Sequence, residues 1–265
     1  MDQDYLDNLT QNSDFIPGIY NYCNRWCEKC SFTARCMYFA MSEEEFINPD
    51  NEDLNDKEYW ERLHGVFKFT LNMLKDTAEK EGINLDDKDR EQSLTKEEIE
   101  LEESIRNNEC VQLSKEYDTL VKKWFSLSGD VFQNTENYLH TQYSEGLSDI
   151  DPMEETEKIM DEAEMVRWYQ CQIYVKLARA VRSSKKKTPE ILEDMPRDAD
   201  GSAKVALLGM DSSINAWKHL TEYLPGCSNT ITELISFLEV LRNKTEIKFP
   251  EARSFVRPGF DDLKT

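Results

Sequence analysis

The sequence predicts an all-α protein, a bundle of about six to seven helices with an N-terminal four-cysteine metal-binding loop. Three observations lead there. Apolar residues return at three- and four-residue steps through most of the chain, which is the period of a helix with one buried face. Glycine and proline are scarce, nine and eight among 265 residues, too few for a turn-rich β protein. Four of the seven cysteines, Cys23, Cys27, Cys30 and Cys36, fall within fourteen positions.

Composition sets the outer bounds. With 39% hydrophobic residues, the chain can bury one sizeable core, and one large domain is expected. Its parts are a lead-in, cysteine loop and following helix over 1–47, a helical bundle over 48–243, and an aromatic, basic tail over 244–265 that docks on the bundle. No stretch is as apolar as the roughly eighteen residues needed to cross a bilayer. Met1-Asp-Gln-Asp-Tyr-Leu-Asp7 has neither the basic start nor the apolar core of a secretion signal, so a cytoplasmic, reducing location is expected. The net charge of −21, from 53 acidic and 32 basic side chains, repels phosphate backbones and anionic membranes. Nucleic acid and membrane are therefore disfavoured as partners, and a protein partner, for redox or for binding, is favoured. The basic run Arg179, Arg182, Lys185, Lys186 and Lys187 reads as helix-end cations offsetting the helix dipole.

The elements follow in order. Residues 1–22 form an acidic lead-in ending in Phe15-Ile-Pro-Gly-Ile-Tyr20, and a helix suggested by Thr33–Ala40 carries Cys36 on its first turns. Asn48-Pro-Asp breaks it. A helix near 57–81 aligns Trp60, His64, Phe67, Leu71 and Leu74 on one face, Gly82 caps it, and 84–95 connects. From Lys96 to Leu127 one long helix is expected, with Cys110, Leu113, Tyr117, Leu120, Trp124 and Leu127 inward. Ser128-Gly129-Asp130 interrupts it, and the next helix turns Phe132, Glu136, Leu139 and Tyr143 inward, with His140 at the margin.

After an acidic segment, helix resumes with Pro152 in its first turn. Met165–Val181 is apolar on nearly every side, which places it in the middle of the bundle. Its exceptions, Glu164, Arg167 and Gln170, would need partners, because an unpaired buried polar group costs a few kcal/mol. A loop over 188–199 leads to a helix rich in small residues, from Gly201 through Ile214, Trp217 and Leu224, that stops at Pro225-Gly226. The last helix, opened by a Thr230–Glu233 capping box, buries Ile231, Leu234, Ile235, Leu238 and Leu241. In the tail, Arg253 and Arg257 are expected to meet carboxylates.

The chemistry concentrates in the cysteines. Thiolates are soft, charged ligands, and crowding four of them makes sense if a metal neutralises and cross-links them. The spacing is Cys-x3-Cys-x2-Cys-x5-Cys, with no second Cys-x2-Cys pair elsewhere. A [4Fe-4S] cluster is the first reading, structural Zn2+ the second, and reduced thiols or a disulfide the last. Of the other cysteines, Cys110 and Cys171 read as packed residues and Cys227, on a loop, as the reactive candidate.

Cys27-Glu-Lys-Cys30-Ser-Phe-Thr-Ala-Arg-Cys36 resembles the Cys-x2-Cys-x5-Cys segment of [4Fe-4S] sites in endonuclease III-type glycosylases and AddB- or Cas4-type nucleases. That resemblance covers about ten residues and implies a cluster, not a fold. Cys23-x3-Cys27-x2-Cys30 is similar to the radical-SAM triad but departs from it at Lys29, where an aromatic is usual, and no βα repeats accompany it. The whole segment from Tyr22 to Cys36 also resembles bacterial proteins with a Tyr-Cys-x2-Trp-Cys-Glu-x-Cys-x-Phe-Thr-x-Arg-Cys signature, a likeness that implies no activity.

Two function classes follow: an iron-sulfur protein with an electron-transfer or redox-structural role, and a zinc-stapled, non-enzymatic interaction protein. A third is a ferritin-like di-iron protein, which needs a Glu on each of two helices and Glu-x-x-His on each of two others. Glu61 and His64 supply one such motif, and Glu136 and Glu164 supply single carboxylates, but the second Glu-x-x-His is missing. Phosphate-binding glycine loops and the Gly-x-Ser-x-Gly nucleophile turn are absent.

Overall fold

The structure is a computed structural model that describes residues 12–46, 75, 96–185 and 197–261. Seven α-helices and no strands occur among these residues: α1 (Met37–Phe46), α2 (Lys96–Arg106), α3 (Glu109–Leu127), α4 (Gly129–Ser144), α5 (Pro152–Lys185), α6 (Asp198–Tyr223) and α7 (Ser228–Lys248). The all-α expectation holds. The chain divides into two compact units, one of Met1–Asn21, Arg25–Thr95 and Pro258–Thr265, the other of Tyr22–Asn24 and Lys96–Arg257. The helix expected over 57–81, with Glu61 and His64, lies outside the described residues.

In the helical unit α5 is central, as its all-round apolar sequence requires. It packs most extensively against α6, then against α3, and touches α2 and α4 more lightly, while α7 lies on α6 and α3. The α5–α6 approach is close because α6 is built from small residues. A Cβ on Gly209 would stand 2.7 Å from Cδ1 of Tyr169 on α5, well inside van der Waals contact. At the core, Trp217 and Tyr117 are fully buried, and the Trp217 indole N–H donates to the Tyr117 hydroxyl at 3.0 Å. Trp124 meets Trp217 edge to face at 4.8 Å between ring centroids. Burial pushes the Tyr117 phenol far above its ordinary range.

Several elements depart from the sequence reading. The helix expected from Lys96 to Leu127 is two helices, because Asn108 leaves helical geometry and its side chain accepts the Cys110 N–H as an N-cap. Asparagine at a helix start satisfies an orphan amide, which here outweighs the continuous apolar rhythm on either side. At the far end, α6 begins at Asp198, three residues before the expected Gly201. Thr230 does not cap α7; its hydroxyl donates to the Cys227 carbonyl at 2.9 Å, and the 3-10 turn Pro225–Cys227 runs straight into the helix.

Helix phase also differs. Glu164, Arg167 and Cys171 on α5 are exposed. The Arg167 guanidinium lies 4.2 Å from the Phe125 ring centroid, a cation–π contact at the surface. Gln170 is half-buried, and its Oε1 has no hydrogen-bond partner. Tyr143, expected inward, is 53% exposed. The α4 helix ends in a Schellman turn: Leu147 N–H bonds the Gln142 carbonyl, Gly146 N–H the Tyr143 carbonyl, and Gly146 takes φ +68.

The segment after α7 joins the core of the helical unit, with Phe249 and Ala252 buried. Arg253 is ion-paired with Asp211 and with Glu246. Two of the basic residues toward the end of α5 are likewise engaged, Arg182 with Glu102 and Arg179 with Asp198.

Candidate metal centre

The cysteine stretch is a chain of short turns. A 3-10 turn spans Cys27–Lys29, with Cys30 extended after it, and a second spans Thr33–Arg35, with Cys36 extended before α1 begins. Cys36 therefore precedes its helix instead of riding on it. The two turns close locally through Cys30 N–H to the Cys27 carbonyl and Cys36 N–H to the Thr33 carbonyl, both at 3.1 Å. Trp26 is buried at 5% exposure beneath the Lys29 ammonium, which stands 4.6 Å from its ring. Phe32 meets Phe260 edge to face at 5.0 Å.

Cys23, Cys27, Cys30 and Cys36 are all half-buried and none of them forms a disulfide. The Phe32 backbone N–H points at the Cys30 sulfur at 3.4 Å. Such a bond stabilises negative charge on sulfur, and backbone amides play that part around sulfur-ligated metals. Arg25, between Cys23 and Cys27, takes φ +60, the only non-glycine residue among those described in the left-handed region. That conformation costs about 1–2 kcal/mol for an L-residue. Its guanidinium lies over the Tyr38 ring at 4.0 Å.

Cys23 belongs with the helical unit and is flanked by two anchored residues. The Trp168 indole N–H donates to the Asn24 carbonyl at 2.9 Å, and the Asn24 side-chain amide donates to the Tyr169 hydroxyl at 2.8 Å. On the other side, the Tyr22 ring packs on Phe255 at 4.7 Å and covers Gly201. Burial raises the Tyr22 phenol, and the neighbouring Asp198 carboxylate raises it further. Asp198 is gripped by Arg179 and Ser183. Burial alone would raise the Asp198 carboxyl, but the Arg179 and Ser183 hydrogen bonds outweigh it and hold the group below its usual range. The sequence reading missed this anchor; the one local cue was Tyr22 and Asn24 bracketing a cysteine.

Among the described residues no three His, Cys, Asp or Glu side chains gather into a set able to hold a metal ion. The cysteine donors fit a thiolate-bound metal in chemistry, and their convergence would have to come with the metal. Of the di-iron candidates, Glu136 is half-buried and accepts from Gln133 one turn earlier, and Glu164 is exposed. Glu61 and His64 lie outside the described residues. Cys227 is half-buried and burial raises its thiol, which lowers the reactivity expected of it. His219 pairs with Glu162 at 2.7 Å on the surface.

No family model, no curated protein and no solved structure matches this chain. The class the fold defines is an all-α helical protein, and no helix of the described residues is long and apolar enough to cross a membrane.

Proposed function

We propose that the chain is a metal-binding protein whose cysteine stretch holds one [4Fe-4S] cluster, with an electron-transfer or redox-structural role in the cytoplasm. Cys27, Cys30 and Cys36 are the ligands supplied by consecutive turns, and Cys23 is the fourth thiol by sequence spacing. The observation that carries the reading is four half-buried cysteines within fourteen positions, none in a disulfide and one of them already accepting a backbone N–H. A bound cluster would supply one-electron chemistry and a cross-link. The chain's own contribution is to hold the Cys30 sulfur against the Phe32 N–H and to shelter the turns behind Trp26 and Phe32. With four thiols filling four iron positions, electron transfer or structure is favoured over catalysis at the metal.

Anaerobic purification followed by iron, zinc and acid-labile sulfide analysis tests this. Iron with matching sulfide, lost in Cys27→Ser and Cys30→Ser, supports the cluster. One zinc per chain without sulfide replaces it with a zinc-stapled interaction protein. Neither metal in any preparation would sink both readings. The interaction reading has its own support in an exposed acidic and apolar face of the helical unit.

A further inference from the structure

Beside α4 lies a half-open cavity of about 490 Å³, walled by Val131, Tyr138 and Leu139 on one side and by Tyr223, Leu224 and Glu222 on the other. Tyr223 is a fixed wall, because its hydroxyl donates to the Glu155 carboxylate. The helix that forms the other wall buries none of its residues fully. Five large apolar side chains near this cavity in sequence are exposed: Tyr138 at 61%, Tyr143 at 53%, Leu147 at 65%, Ile150 at 55% and Met153 at 66%. Scattered exposed apolar residues are ordinary, but five between 138 and 153 are a concentration.

The charge around them is mostly negative; Lys158, which pairs with Glu154 and Glu155, is the exception at one end. Between Lys123 and Lys158 the chain carries eight acidic residues and no lysine or arginine. No basic side chain lines the cavity. An acidic segment beside an apolar cleft that Glu222 also lines disfavours acidic partners and steers basic ones, while the cleft takes a large apolar side chain as an anchor.

We infer that this face of α4 is a docking groove for a basic, amphipathic helix of a partner protein, which seats an aromatic or leucine side chain between Tyr138 and Leu224. The cleft is open along a helix instead of enclosed, and exposed apolar residues continue along the chain after Tyr138, which suits a helix laid in a groove better than a small ligand. This proposal is independent of whether the cysteines hold iron, zinc or neither.

The test is fluorescence anisotropy of the full chain with a labelled leucine–lysine helical peptide bearing one tryptophan on its apolar face. Its control is the scrambled isomer, which has the same charge and no apolar face. The amphipathic peptide should bind at least about tenfold tighter, the margin expected of a seated anchor. Asn134→Trp, which fills the cleft, and Tyr138→Ser, which removes an exposed part of its wall, should erase most of that margin, and Val240→Ser, at an exposed position of α7, should keep it. Equal binding of the scrambled isomer, or a margin that survives both groove variants, overturns the proposal. So does saturable binding of phenethylammonium that the peptide cannot displace, which would make the cleft a small-molecule site.

Discussion

In the helical unit, Trp217, Tyr117, Ile173, Leu177, Leu207, Met210 and Leu220 keep no measurable contact with solvent. In the unit that holds Cys27, Cys30 and Cys36, the buried apolar residues among those described are Ile19 and Trp26, which keep 2% and 5% exposure. At about 1.5–3 kcal/mol for each large apolar side chain fully buried, the first region has ample apolar burial to hold it, and the described residues of the second have little. On the proposed reading, a metal held by the thiols of these short turns would supply what the thin apolar floor does not, since apparent binding energies of about 10–16 kcal/mol for structural zinc can take the place of a core. The difference teaches where each region's stability should come from.

The largest effect should follow removal of the proposed metal. Stripping metal from purified protein under reducing conditions should open residues 12–46 to limited proteolysis and leave the denaturation midpoint of the helical unit where it was; a parallel loss of both would erase the contrast. Next, Trp217→Ala should cost the helical unit about 3–5 kcal/mol in urea unfolding, because a fully buried indole leaves a cavity and the Tyr117 hydroxyl loses its donor. Metal content should not change.

Smaller effects probe the Tyr22–Asn24 anchor. At Gly201 a Cβ would stand 2.4 Å from the Tyr22 ring and 2.6 Å from Phe255, so Gly201→Ala should cost about 1–2 kcal/mol net of its gain in helix propensity. It should also speed alkylation of Cys23, read by mass spectrometry; an unchanged rate would mean that the anchor does not govern this thiol. Asp198 gives a pH signature. Its carboxyl titrates below the usual range in the folded protein, so its contribution is complete above a pH of about 4 and fades as pH falls through the lowered value. The stability gap between wild type and Asp198→Asn should therefore be widest near neutrality and narrow in acid. The smallest effect concerns the remaining thiols: exposed Cys171 should react with iodoacetamide before half-buried Cys227, and buried Cys110 last, since burial raises both of the latter.

Much of the helical unit could be read in advance because helix periodicity is local. The seam Cys110, Tyr117 and Trp124 is buried as its spacing requires, and so are Ile231, Leu234, Leu238 and Leu241. The reading failed where two local signals competed. At Asn107-Asn108 the apolar rhythm continues but an N-cap wins, and on α5 an almost wholly apolar surface leaves no clear polar face from which to phase Glu164, Arg167 and Cys171.

The four cysteines and their spacing, the helical class and the acidic charge are properties of neighbouring residues, and the sequence alone determined them. Contacts between residues far apart in the chain were decided by tertiary structure. Trp168 finds the carbonyl of Asn24 from 144 positions away. Tyr223 closes one wall of a cleft whose other wall is α4. Such pairings depend on which helix faces meet and on where small residues let them approach, and a pattern of period 3.6 carries the face of each helix without naming the neighbour that will cover it.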